Sequence, residues 1–139
     1  MNKILFVFFM FISSPLYSNE FTFHCDRYDK NVLTMSQIYK VDREEKTVVW
    51  THSINKRYNR VDNYNKVMDI YHWDEENDSV WLVSYKDDMT FSPNVTIKLL
   101  NFEIQKLHLQ TLNNFTPRTD KFRRTKISQN HIWDCYILE

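Results

Sequence analysis

The chain has 139 residues, 18 Lys and Arg balanced by 18 Asp and Glu, two cysteines and no glycine. Such a balance does not favour nucleic acid or an anionic membrane as an obligatory partner. The absence of glycine excludes phosphate-cradling Gly-rich loops, dinucleotide fingerprints and the G-x-S-x-G nucleophile elbow, which need Gly where the backbone turns tightly or approaches a ligand.

Residues 1–18 read as an export signal. Lys3 precedes an apolar run from Ile4 to Ile12, and the small residue Ser18 precedes a polar start. The run is about half the ~20 residues of a membrane-spanning helix. Cleavage near Ser18 is expected, with no membrane span afterwards. Residues 19–139 are then a single β-rich domain in a secreted or periplasmic compartment. In an oxidising compartment Cys25 and Cys135 are expected to form a disulfide, the one intramolecular pairing available. No C-x-x-C and no neighbouring His pair point to metal or redox chemistry.

Glu20 to Cys25 alternates, with Phe21, Phe23 and Cys25 on one face, and predicts a first strand. Asp26 to Asn31 reads as a turn. Val32 to Val41 is a second strand, with Leu33, Met35, Tyr39 and Val41 on one face. A charged tip, Asp42 to Lys46, leads into a returning strand with Val48, Trp50, His52 and Ile54 in register. Asn55 to Asn65 is polar and basic, either a long loop or strand extensions. Residues 66–86 carry the strongest local signal. Two arms rich in β-branched and aromatic residues flank the acidic tip Asp74 to Asp78, which predicts a hairpin.

Lys86 to Asn94 reads as a loop. Val95 to Leu112 is ambiguous. Val95, Ile97 and Leu99 alternate, then the phase slips to Leu100, Phe102 and Ile104, and a helical face also fits. Two strands turning near 101–105 are favoured because the segment parallels the hairpins at 41–46 and 73–78, each with a hydrophobic residue before a charged tip. Asn113 to Lys126 is polar and basic, and Ile127 to Leu138 is a last strand bearing Trp133, Cys135 and Ile137. The expected fold is all-β, a mainly antiparallel meander of about eight strands. It forms a small closed or partly open barrel whose terminal strands are joined by the disulfide, with a two-sheet sandwich as the alternative.

The five histidines offer no H-x-H or H-x-x-x-H spacing, so no metal site is assigned and no cofactor is implied. Carboxylates cluster on turn tips rather than in a strand-lined cleft. No catalytic residue is assigned; Asp69 and His72 are the pair a small hydrolase would use. The aromatics are the most suggestive feature. Trp50, Tyr71, Trp73, Trp81 and Tyr85 come from strands expected to be neighbours, and could line a cavity or form a platform for an apolar ligand, a glycan or a protein partner. Two basic segments bearing aromatics, 56–66 and 118–126, suit an anionic glycan or acidic partner. Three N-x-S/T triplets, at Asn77, Asn94 and Asn114, are close to what this composition yields by chance.

Phe23-His24-Cys25-Asp26 together with Cys135 near the end resembles the small secreted lysozyme-inhibitor barrels of bacteria, which also join their termini by a disulfide. The resemblance covers only the two ends. The chain lacks that family's Ser-Gly-x-x-Tyr loop, so no inhibitory residue carries over. The opening Gly-x-Trp of lipocalins is also missing. The expected function is a non-enzymatic exported binding module, with a structural envelope protein, an inhibitor-like module or a small hydrolase as alternatives.

Overall fold

A computed structural model describes residues 19–86, 94–115 and 124–139. Residues 1–18, expected to direct export, the 87–93 connection and most of the 118–126 basic segment therefore lie outside the described residues. Nine antiparallel strands form one curled sheet: β1 (Glu20–Asp29), β2 (Val32–Asp42), β3 (Thr47–Asn55), β4 (Arg60–Val67), β5 (Ile70–Asp74), β6 (Ser79–Lys86), β7 (Asn94–Asn101), β8 (Lys106–Phe115) and β9 (Arg124–Leu138). The order is β4-β3-β2-β1-β9-β8-β7-β6-β5. A single sheet replaces the sandwich alternative. The strands number nine rather than about eight because the stretch 60–74 changes partner midway. Its first part pairs with β3 and its second with β6.

That partner change rolls the sheet up. The two edge strands, β4 and β5, are consecutive in the chain, separated only by Met68 and Asp69. The Met68 N–H donates to the Val48 carbonyl on β3 at 2.8 Å, while the Asp69 carbonyl accepts from Val83 N–H on β6 at 3.1 Å. The linker thus touches both ends of the strand order, which forces curvature into a partly open barrel. On the opposite side of the ring, β1 pairs with β9, and Cys25 stands directly across from Cys135. The two form the expected disulfide, with Cα atoms 4.1 Å apart.

The turns show how a chain without glycine makes hairpins. Asp42, Asn55, Asp74 and Asn101 each open a four-residue turn, and each side chain accepts a backbone N–H inside it. Each turn ends on a positive φ: Lys46 at 52°, Asn59 at 49°, Asp78 at 45° and Gln105 at 54°. Val41, Ile54, Trp73 and Leu100 precede the four Asx residues. The hairpin repeat expected at three places is thus present at four, and residues 95–112 form strands rather than a helix. The β1–β2 turn is tighter. Lys30 at φ 49° and Asn31 at φ 65° form its two central residues, as a primed turn demands.

Two expected registers are corrected, one of them by a bulge. Thr51 is extra in β3, between Trp50 and His52, and a bulge of this kind re-aims the side chains beyond it. Val48 and Trp50 therefore face the interior, but His52 is exposed and Ser53 is buried instead. On β7 the inward residues are Lys98, Leu100 and, in the following turn, Phe102; Ile97 and Leu99 lie on the other face and are only partly buried.

The core fills one end of the barrel. Phe21, Phe23, Val41, Val48, Val80, Leu100, Leu107 and Trp133 are buried there. Phe102, from the β7–β8 turn, plugs that end and meets Phe21 and Phe23 edge-to-face at 5.1 Å each. The Arg43 guanidinium lies 4.4 Å over the Phe21 ring and binds Asp78 through Nε and Nη2 at 3.2 and 2.8 Å. Lys46 pairs with Glu75 at 2.7 Å. Removing a buried phenyl ring costs about 3–5 kcal/mol, whereas exposed ion pairs contribute little. The Phe102 ring, not the charges, seals this end.

Gln105→Gly removes the steric cost of a side chain in the left-handed region, about 1–2 kcal/mol, against about 0.5–1 kcal/mol of extra glycine entropy. A higher urea midpoint for the variant is expected. Replacing both Cys25 and Cys135 by Ala opens a loop with a sequence separation of 110. A loss of about 4–5 kcal/mol in unfolding free energy is expected on the chain-entropy account, measured by the same titration.

Candidate functional site

The far end of the barrel differs in chemistry from the sealed end. Its interior sets polar groups beside Leu82 and Leu109, and its centre is Lys98. This side chain points across the lumen from β7 to β2 and β3. Its Nζ donates to Gln37 Oε1 at 3.2 Å and to the Tyr39 hydroxyl at 2.9 Å, and sits 3.9 Å over the Trp50 ring. Tyr39 in turn donates to Gln37 Oε1. Lys98 is only 4% exposed, and among the described residues no carboxylate reaches it. Burial pulls its ammonium down to about 7, helped by the nearby charge of Lys66. The same burial pushes the Tyr39 phenol well above its ordinary value. Two neutral acceptors and an aromatic face stand in for a counter-ion.

The stack continues outward. Trp50 carries Tyr64 on its ring at 4.2 Å with 19° between planes, and Tyr39 lies 6.4 Å away. Trp50 Nε1 donates to the His52 carbonyl at 3.1 Å, which fixes the indole. Local irregularities build this arrangement. In the β3–β4 pairing, Trp50 opposes Lys66 and His52 opposes Asn63, so Tyr64 and Asn65 together face Thr51. Asn65 takes φ 48°, the conformation a bulge of this kind demands. The double irregularity brings Tyr64 onto Trp50. Tyr64 stays 44% exposed.

The five aromatics singled out from sequence do not share one surface. Trp50 belongs to the stack just described. Trp73 turns inward at the sealed end, 6.2 Å from Phe102. Trp81 faces outward, 38% exposed, opposite Leu99 on β7, and Tyr71 stands at a β5 bulge, 79% exposed. The Tyr85 backbone pairs with Val95, and its side chain lies outside the described residues. Asp69 and His72 are both exposed, so that pair forms no enclosed acid–base site. Among the described residues no three His, Cys, Asp or Glu side chains converge as metal ligands, and no helix is long and apolar enough to cross a membrane.

Sequence reading missed Lys98 and Gln37, and had Tyr64 only as an aromatic of the basic segment 56–66 rather than on Trp50. A signal for the first two was present. The phase Leu100–Phe102 runs back to Lys98, and the phase Tyr39–Val41 runs back to Gln37. Tyr64 left no such trace, because its position depends on the bulges. Comparison with protein-family models, curated proteins and solved structures found no match.

Lys98 makes stability depend on pH. Its folded value lies below that of an unfolded lysine, near 10.4. Between about 7 and 10 the unfolded chain binds more protons, so raising the pH stabilises the fold through this group, by at most about 1.4 kcal/mol per pH unit. The difference in unfolding free energy between the native chain and Lys98→Met should narrow in favour of the native chain across that window. Parallel curves for the two proteins would contradict the assignment.

Proposed function

We propose that this is an exported, non-enzymatic binding module that takes a carbohydrate ligand at the polar end of its barrel, on the open face of Tyr64. The observation that carries this reading is the layered stack of Lys98, Trp50 and Tyr64. A lone exposed tyrosine loses side-chain freedom when it binds. Tyr64 is already held flat against a hydrogen-bonded indole, so less ordering remains to oppose binding. A flat ring with one wet face suits the apolar face of a sugar. Export is supported by the apolar run at residues 4–12 and by the disulfide.

A second reading, a protein partner on the outer face of β6 and β7, is favoured by the cross-strand pairs Trp81–Leu99 and Val83–Ile97 on that face. Outward positions of a small barrel are more often polar.

Titration of the oxidised protein with soluble oligosaccharides, read by tryptophan fluorescence, tests the Tyr64 platform against the outer face as the sugar site. Tyr64→Ala is expected to weaken binding tenfold or more while its thermal midpoint stays close to the parent's. Trp81→Ala is expected to bind like the parent. Unchanged affinity in a folded Tyr64→Ala protein refutes the Tyr64 platform. Loss in Trp81→Ala alone favours the outer face.

A further inference from the structure

The charges of this neutral chain are sorted by end. At the sealed end the cations are paired: Lys40 with Glu20, Arg43 with Asp78, Lys46 with Glu75 and Lys106 with Asp134. At the polar end Arg60 pairs with Asp62. Arg27, Lys30, Lys56 and Arg57 are different. Among the described residues none has a carboxylate within ion-pair distance.

Two turns bring these four cations together. The Lys56 N–H donates to the Thr34 carbonyl at 2.9 Å, which pins the β3–β4 turn beside the start of β2. Between this turn and the β1–β2 turn lies a cleft of about 530 Å³ lined by Asp29, Lys30, Val32, Leu33, Thr34, Lys56 and Arg57. A smaller hollow of about 120 Å³ adjoins it, sharing Asp29, Thr34 and Arg57 and adding Arg27 and Tyr58. Lys30 holds its position at φ 49°, where Asn or Gly sits at less cost.

We propose that this cleft binds an acidic polysaccharide, a chain of sugar rings carrying carboxylate or sulfate groups. The proposal rests on the carbohydrate reading above for its ligand class and adds a charged site distinct from Tyr64. Lys30, Lys56 and Arg57 in the two facing turns, with Arg27 beside them on β1, repel one another, and an anionic guest relieves that repulsion. The cleft is not uniformly basic, and this selects the guest. Val32 and Leu33 offer apolar surface for ring faces, and Thr34 and Asp29 offer groups for sugar hydroxyls. Asp29 would oppose a ligand charged at every unit, such as a polyphosphate or nucleic acid, but not one whose charges alternate with neutral hydroxylated surface.

The test measures binding of the oxidised full-length mature protein to hyaluronan and unsulfated chondroitin, in which a charged uronate alternates with a neutral amino sugar, with dextran, single-stranded DNA and inorganic polyphosphate alongside. The expected result is binding to the two acidic glycans that falls steeply between about 50 and 200 mM salt, with none to dextran. Lys56→Ala/Arg57→Ala is expected to lose tenfold or more affinity, and Lys46→Ala at the sealed end none. Equal binding by the cleft variant, or no binding of either acidic glycan, overturns the proposal. DNA or polyphosphate binding tighter than both glycans overturns the glycan assignment. Tyr64→Ala is included in the series. Intact acidic-glycan binding in that variant, with loss in the cleft variant, supports the cleft as a site separate from Tyr64 and leaves the platform to its own titration; loss in Tyr64→Ala as well overturns that separation.

Discussion

The pairing of β1 with β9 is the constraint on which the structure depends. Without it the chain is two meanders, β1–β4 and β5–β9, joined at Met68 and Asp69 like two arms of a strap. The β1–β9 ladder and the Cys25–Cys135 bond buckle the far ends together. The sheet is therefore curled into a partly open barrel by one continuous run of the chain on one side and by the β1–β9 ladder with its disulfide on the other. Both are needed for Lys98 on β7 to meet Gln37 and Tyr39 on β2, since the sheet places β1, β9 and β8 between them. The candidate site is a cross-lumen contact, and it exists only because the sheet has curled.

What was legible in the sequence was whatever local chemistry decides. The hairpin tips at 42–46 and 74–78 announce themselves because Asp at the first position captures turn N–H groups. Cys25 and Cys135 sit in alternating runs, Phe21–Phe23–Cys25 and Trp133–Cys135–Ile137, whose phase fixes their direction. What was not legible is whatever depends on an extra residue. Alternation carries the phase only as far as the next bulge. Thr51 breaks it in β3, so His52 and Ile54 were placed on the face of Val48 while the structure exposes His52 and buries Ser53. The partner change at Met68 is a tertiary event, and no local pattern marks it.

The β7 ambiguity has a separate cause. Ile97 and Leu99 are as hydrophobic as Leu100 and Phe102, so both faces of the strand looked able to enter the core. The structure resolves this with depth. Near the sealed end the inward phase is apolar, Leu100 then Phe102. Further along the same phase it becomes Lys98 and Thr96. The barrel interior changes from hydrocarbon to polar along its axis, and the outer face of β6 and β7 gains Trp81, Val83, Ile97 and Leu99 over the same stretch. A lysine buried without a carboxylate costs stability. Its place beside Trp50 and Tyr64 is a local conflict of the kind that occurs at functional or strained sites.

A zero net charge describes neither end of this molecule. Summing 18 cations against 18 anions treats the molecule as a point. A strand of eight residues rises roughly 26 Å at about 3.3 Å per residue, and physiological salt screens charges beyond about 8 Å. The acidic turns Asp42–Lys46 and Asp74–Asp78 therefore do not neutralise Lys30, Lys56 and Arg57 at the opposite end. Each end presents its own field. The end where cations have carboxylate partners is also the end plugged by Phe102, and the end where four cations lack them holds the polar lumen, the Tyr64 stack and the cleft. A neutral total is thus compatible with one surface suited to anions, because what a ligand meets is the charge within a Debye length of where it lands.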